Sequence, residues 1–132
     1  MTVPRSGAIS AAHPLAVEAG FAVLDAGGNA VDASTAAQAV ISVVTPQAAG
    51  LGGDLLELVR TPDGDVIALG GTGLSARRMS RPPTSSQGSS VTVPGMVAGW
   101  ERAQERWGRL SLAEVLRPAI RIAREGLVID ER

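Results

Sequence analysis

The chain contains few residues whose type and spacing could perform chemistry. The single histidine, His13, precedes Pro14, and no carboxylate lies at a spacing that would make it a catalytic base. We expect His13 to bond to nearby backbone instead. The absence of cysteine excludes disulfides, thiolate nucleophiles and zinc–thiolate sites. One histidine cannot build a histidine-rich metal site, so we predict neither a metal nor a cofactor.

The carboxylates offer no stronger catalytic signal. No pair among Asp25, Glu101, Glu105 and Glu114 has the spacing that acid–base catalysis would need. Glu101 lies next to Arg102, and Glu105 lies four residues before Arg109, so pairing with arginine on a helix surface explains both glutamates. We therefore predict no catalytic residue among the carboxylates.

A glycine turn, GLGG at 50–53, could form an anion-binding nest of backbone N–H groups. No Gly-Lys-Ser/Thr follows it, so it does not match a phosphate-binding P-loop. A tight turn that lets two layers approach each other explains the glycines better. Asp54 would then bond within the turn rather than act in chemistry.

Composition limits the partners of the chain. Its 132 residues carry a net charge of −1, and all twelve cationic residues are dispersed arginines, so nucleic-acid binding has little support. No segment reaches membrane-spanning length, and the N-terminus lacks the apolar stretch of a signal peptide. These features predict a cytoplasmic chain with no membrane partner. Its length suits one domain, although a core rich in alanine would be thin.

The first half of the chain predicts a strand followed by two helices. Residues 7–12 (GAISAA) read as a short buried strand, and helix one runs from Pro14 to Ala26. A Gly-Gly pair at 27–28 ends helix one, because glycine adopts the left-handed conformation without strain. Asn29 is the predicted N-cap of helix two, 30–44, with Asp32 complementing its dipole.

The second half predicts a hairpin and two more helices. Apolar runs at 54–60 and 65–69 flank Thr-Pro-Asp-Gly, which is typical of a turn in a β-hairpin. Residues 75–90 are polar and aperiodic, which predicts a flexible loop. Helix three is expected from Pro94 to Trp107. A capping box at 111–114 opens helix four, which Pro118 is expected to break or kink before its end at Glu125.

Five stretches in collinear order resemble the large subunit of the gamma-glutamyltranspeptidase family. They are AAHPLAVEAG at 11–20, GGNAVDA at 27–33, TPQAAGLGGD at 45–54, VTVPGMVAGW at 91–100 and LAEVLRPAIRIAREG at 112–126. The resemblance spans nearly the whole chain and places it in the N-terminal part of that subunit. GLGGD followed by LLELV resembles the acylase and amidohydrolase branch more than the glutathione-cleaving branch.

The resemblance implies a fold and a chemistry. Members are self-processing N-terminal-nucleophile hydrolases with a four-layer αββα sandwich, of which residues 1–132 would form a partial domain. The order strand–helix–helix–hairpin–helix–helix independently predicts a mixed α/β fold with an antiparallel pair. The family precursor cuts itself before a threonine, which attacks a γ-glutamyl or related amide carbonyl. That threonine heads a small subunit that is absent here, so the chain alone is expected to be inactive.

One family site falls within this chain. Glutathione-cleaving members carry an arginine after the second strand that binds the substrate α-carboxylate, and gapless alignment places Thr72 there. In the acylase-like branch the arginine stands two positions later, where this chain has Leu74. Thr72 and Gly73 are therefore the predicted substrate-binding residues, without the family charge. Arg77 or Arg78 could replace it after a loop shift.

Two classes of function remain open. The chain is either the N-terminal part of an amide hydrolase or acyltransferase acting on a small-molecule amide, or a non-catalytic binding or scaffold subunit. The second alternative would pair in trans with a separately encoded, threonine-headed partner, or would be a degenerate remnant. The absent arginine motivates the second class, and the five collinear stretches motivate the first.

Overall fold

The computed structural model of the chain describes residues 7–75, 77 and 91–128. The elements are α1 (Pro14–Asp25), α2 (Ala30–Val44), β1 (Leu55–Arg60), β2 (Val66–Gly71), α3 (Met96–Trp107) and α4 (Leu112–Glu125). This is an α+β chain, as the sequence predicts. It divides into two compact units, Met1–Gly50 with Glu101–Arg132, and Leu51–Trp100. Helix α3 begins in the second unit and ends in the first.

Helix α1 begins at Pro14, as its sequence predicts, and ends at Asp25, one residue before the predicted end at Ala26. The His13 side chain accepts a hydrogen bond from the backbone N–H of Leu15 at 3.2 Å, and Pro14 occupies the first turn. This confirms the structural role expected for His13. Gly27, at φ 93°, follows the end of the helix, so a left-handed glycine stops it.

The two N-terminal helices approach each other closely through small residues. A Cβ at Gly20 of α1 would meet the side chain of Ile9 and the carbonyl oxygen of Ala33 on α2. Alanines are buried on the same face of α2, which confirms the close packing that its small residues predict. The apolar core of this unit comprises Val23, Ala33, Ala36 and Val115, with Ile9, Leu24 and Leu110 packed against it.

Helix α4 is continuous through Pro118, so of the predicted break or kink, the break is wrong. A proline removes one backbone donor from the helix, but three other features support this one. Its buried positions, Val115, Ala119 and Ile122, form a single stripe with helical spacing. A Ser111–Glu114 capping box satisfies its first turn, and Gly126, at φ 84°, follows its last residue.

Strands β1 and β2 form an antiparallel hairpin in which Leu55 pairs with Gly71 and Arg60 with Val66. Gly64, at φ 95°, accepts the left-handed conformation that the predicted turn requires. Leu55 and Val59 are buried on one face of β1, whereas Leu56 and Leu58 on the other face are 80% and 74% exposed. The hairpin therefore leaves an apolar face open among the described residues.

The predicted first strand and several element boundaries differ from the structure. Residues 7–12 form no strand in the described chain, where β1 and β2 pair only with each other, so the predicted first strand is wrong. Strand β2 continues to Gly71, and α3 begins at Met96 rather than at Pro94. The predicted loop at 75–90 lies outside the described residues except for Ser75 and Arg77. No helix in the described part is long and apolar enough to cross a membrane.

Candidate functional site

The glycine turn before β1 holds the beginning of α3. The carbonyl oxygen of Gly53 accepts hydrogen bonds from the backbone N–H groups of Gly95 at 3.1 Å and Met96 at 3.0 Å. These N–H groups lie at the start of a helix, where no intrahelical acceptor is available to them. The turn therefore satisfies a helix N-terminus through a carbonyl. A Cβ at Gly50 or Gly52 would meet no atom within 4 Å, so the close approach of two layers that the sequence predicts is not seen at these two glycines.

The segment that follows β2 packs against the residues that precede α3. A Cβ at Gly73 would overlap the carbonyl of Val93, and a Cβ at Gly71 or Gly95 would overlap the backbone of the other. The backbone N–H of Val93 donates to the carbonyl of Leu74 at 3.1 Å. Glycine is needed here because two backbones lie in contact.

Asp54 joins three separate stretches of the chain at this point. Its Oδ1 accepts a hydrogen bond from the backbone N–H of Gly73 and another from the Thr92 hydroxyl, both at 3.3 Å. The carboxylate thus bonds beyond its own turn, to residues 19 and 38 positions further along the chain. The sequence predicts that Asp54 caps or bonds within its turn, and these two partners lie outside that turn.

The predicted substrate-binding residues lie at this junction. Thr72 is exposed directly after the last residue of β2, and Gly73 is half-buried beneath Val93 and bonded to Asp54. Leu74, where the resemblance would place an arginine in one branch, is 82% exposed. Arg77 is exposed, and Arg78 lies outside the described residues. The carboxylate of Asp54 is hydrogen-bonded to Gly73, the residue next to Thr72.

Glu57 is a titratable residue that the sequence analysis did not single out. It lies on β1 between Leu55 and Val59, on the face that these two residues bury, and its Oε2 has no hydrogen-bond partner among the described residues. Burial raises the pKa of Glu57 above its ordinary value. The alternation along β1 was the available signal, because position 57 is in phase with the buried leucine and valine.

Asp32 has a larger structural role than its predicted effect on the helix dipole. It is fully buried and forms a capping box with Asn29, whose backbone N–H donates to Oδ2 at 2.6 Å. The backbone N–H groups of Arg109 and Leu110 also donate to it, at 3.1 and 3.3 Å, as does the Gln104 amide. The carboxylate therefore fixes the link between α3 and α4 and is committed to structure.

The described residues contain no cluster of three or more histidine, aspartate or glutamate side chains that could hold a metal ion. The residues around Asp54 include Thr72 and Gly73, the two residues that the sequence predicts to bind substrate, together with exposed polar groups. This junction is the candidate functional site, and it consists of Asp54, Thr72, Gly73 and Thr92.

Comparison with known proteins identifies the family. The sequence model of gamma-glutamyltranspeptidase matches residues 16–132. The chain is 39% identical over 127 residues to the glutathione hydrolase-like YwrD proenzyme of Bacillus subtilis, covering 89% of this chain and 24% of that protein. It superimposes on Helicobacter pylori gamma-glutamyltranspeptidase with a TM-score of 0.86 at 30% identity, covering 96% of this chain and 40% of that one.

A third similar protein is named for a different activity from the first two. Cephalosporin acylase from Bacillus halodurans matches 96% of this chain and 28% of its own, with a TM-score of 0.78 at 31% identity. The chain therefore belongs to the gamma-glutamyltranspeptidase family, and its α+β arrangement is part of an N-terminal-nucleophile hydrolase fold. It spans about a quarter of the length of the curated relatives it matches. Both hydrolase and acylase names occur among these relatives, so the branch stays a prediction.

Proposed function

We propose that this chain is the N-terminal part of the large subunit of a γ-glutamyltransferase-like amide hydrolase or acyltransferase. The observation that carries the proposal is the family match over residues 16–132, joined to a fold that superimposes on the family along nearly the whole chain. Relatives with the printed names glutathione hydrolase proenzyme and acylase proenzyme support an amide substrate and a processed precursor. A threonine-headed small subunit is the proposed partner.

The proposed reaction divides the work between the two subunits. The threonine hydroxyl of the partner attacks the amide carbonyl, and its α-amino group accepts the proton. The carbon–nitrogen bond then breaks, the amine departs with a proton, and an acyl ester remains on the threonine. Water or an acceptor amine attacks this ester and releases the threonine.

This chain supplies binding rather than the nucleophile in that scheme. Thr72 is exposed at the junction, but its nitrogen is part of a peptide bond and cannot serve as the required α-amino base. Thr72 and Gly73 instead line the region that receives the acyl group. The sequence 70–75 contains no cation, and Asp54 is bonded to Gly73. This favours acyl groups that do not depend on a paired α-carboxylate.

Two chromogenic amides test this assignment in the complete gene product that contains the chain. γ-Glutamyl p-nitroanilide and 4-aminobutyryl p-nitroanilide differ only in the α-carboxylate. We expect both to be cleaved with similar kcat/KM. Thr72→Arg should raise the preference for the γ-glutamyl compound about ten-fold, because a charge-assisted hydrogen bond contributes about that much to binding.

Thr72→Gln is the matched control, since it lengthens the side chain without adding charge, and it should leave the preference unchanged. If Thr72→Arg and Thr72→Gln give the same preference as the parent protein, Thr72 does not face the acyl group. Cleavage of neither compound by the complete product would favour the non-catalytic scaffold alternative.

A further inference from the structure

The hydrogen bonds around Asp54 occur where the β-ladder would otherwise continue. Thr61 N donates to Asp65 O at 2.9 Å, and antiparallel partners alternate between bonded and non-bonded pairs. In that alternation, Leu55 and Gly71 form a hydrogen-bonded pair. If the ladder continued, Gly53 and Gly73 would form the next hydrogen-bonded pair.

The carbonyl of Gly53 bonds elsewhere. It accepts from Gly95 N and Met96 N at the start of α3, which removes it as the ladder partner of Gly73. The N–H of Gly73 then needs another acceptor, from the protein or from water. The side chain of Asp54 provides the acceptor, and its Oδ1 receives the Gly73 N–H at 3.3 Å. Asp54 therefore allows one turn to begin a helix and to end a hairpin at the same time.

Oδ1 of Asp54 also bonds to the segment that leads into α3. Thr92 donates its hydroxyl to Oδ1 of Asp54, and Val93 N donates to Leu74 O beside it. The backbone contact between Gly73 and Val93 leaves no room for a shift towards that side. The position of Thr72 is thus determined from both neighbours, through Gly71 in the strand and through Gly73 bonded to Asp54.

We propose that Asp54 is the positioning residue of the acyl-binding segment Thr72–Gly73, acting through its bonds to Gly73 and Thr92. This inference rests on the proposed function, because it requires Thr72 and Gly73 to face the substrate. Asp54 does not touch the substrate in this scheme. Its loss loosens the segment and weakens substrate binding, and the attack by the partner's threonine is unaffected.

Steady-state kinetics of the complete gene product with γ-glutamyl p-nitroanilide test the proposal. Asp54→Ala should raise KM about five-fold at unchanged kcat, as expected when the contribution of a typical hydrogen bond is lost. Asp54→Asn retains an Oδ1 acceptor and should behave as the parent protein does. Thr92→Val removes one of the two bonds and should raise KM by a smaller factor.

Asp65→Ala is the matched control, because Asp65 is an exposed carboxylate at the opposite end of the same hairpin. It removes the same charge and should leave KM unchanged. Thermal unfolding of every variant shows whether a change in KM merely follows a loss of fold. An effect that is equal in Asp54→Ala and Asp54→Asn would overturn the hydrogen-bond role, since charge alone would then explain it.

The two sets of variants distinguish an error in the assignment of the site from an error in the role of Asp54. If Thr72→Arg changes substrate preference while Asp54→Ala leaves KM unaltered, the site stands and the role of Asp54 is refuted. If neither variant has an effect, the site itself is wrong. Should the complete product cleave no anilide, amide hydrogen exchange of the peptide 70–75 decides the role of Asp54. Exchange must accelerate in Asp54→Ala but not in Asp54→Asn, and equal exchange in the two would contradict it.

Discussion

At the residue scale, Asp32 and Asp54 have different roles. Asp32 is buried, and its acceptors are occupied by backbone N–H groups of its own cap and of the link between α3 and α4. Asp54 is exposed and bonds to the backbone of Gly73 and the hydroxyl of Thr92. A buried carboxylate with all its acceptors occupied is typical of a structural residue. An exposed carboxylate beside the candidate site is available for a functional role.

Asp32→Asn should destabilise the protein by about 2 kcal/mol, because the amide NH2 cannot accept and one backbone donor is left facing it. Urea unfolding measures the loss as a fall in the midpoint concentration at an unchanged slope. Asp63→Asn, in the exposed hairpin turn, is the matched control and should leave the midpoint in place. Equal midpoints for the two variants would show that the buried network contributes nothing to stability.

At the element scale, the capping box of α4 links stability to pH. Ser111 Oγ donates to Glu114 at 2.6 Å and its backbone N–H donates at 2.9 Å. The side-chain bond from Ser111, followed by its backbone bond, lowers the pKa of Glu114 below the ordinary value of 4.5. The folded state therefore binds fewer protons than the unfolded state as the pH falls below that value, and the contribution of Glu114 is lost there.

Glu114→Gln should reduce stability above pH 4.5 and have a diminishing effect as the pH falls through the lowered pKa. Ser111→Ala should cost about 1 kcal/mol at neutral pH, the usual loss for an N-cap. Thermal unfolding across the acid range measures both. Glu105→Gln, an exposed carboxylate on α3, controls for the loss of charge. A Glu114→Gln deficit that persists unchanged at the lowest pH would contradict the linkage.

Local signals predicted most elements, and the failures have physical reasons. The Pro-Asp-Gly turn predicted the hairpin, and the Asn29 and Ser111 caps predicted where α2 and α4 begin, because these signals act within four residues. Pro118 was misleading because packing of the buried stripe outweighs one missing hydrogen bond. Residues 7–12 resembled a strand, but strand formation depends on a partner that the local pattern does not contain.

The candidate site was predictable only in part. Alignment to the family placed Thr72 and Gly73 at the end of the second strand, where the structure has them. The bonds of Asp54 could not be predicted, since they join residues 19 and 38 positions apart. Nothing local indicates that Gly53 bonds to α3 and leaves Gly73 to a side chain. Such long-range contacts require the fold.

At the scale of the whole molecule, the hairpin has one apolar face that the described residues leave open, and the core is rich in alanine. Leu56, Leu58 and Val66 are between 65% and 80% exposed on the hairpin, and alanine recurs among the buried apolar residues. Exposed apolar surface of this kind is typical of a face that another segment or another chain covers. This agrees with the proposal of a threonine-headed small subunit.

The measurement that tests the central claim most directly is intact mass spectrometry of the purified complete gene product, followed by N-terminal sequencing. We expect two chains produced by one internal cleavage, one of them containing this sequence and the other beginning with threonine. Replacing that threonine with alanine should leave a single uncut chain without amidase activity. A single uncut chain with full activity, or turnover of γ-glutamyl p-nitroanilide by the 132-residue chain alone, would contradict the account.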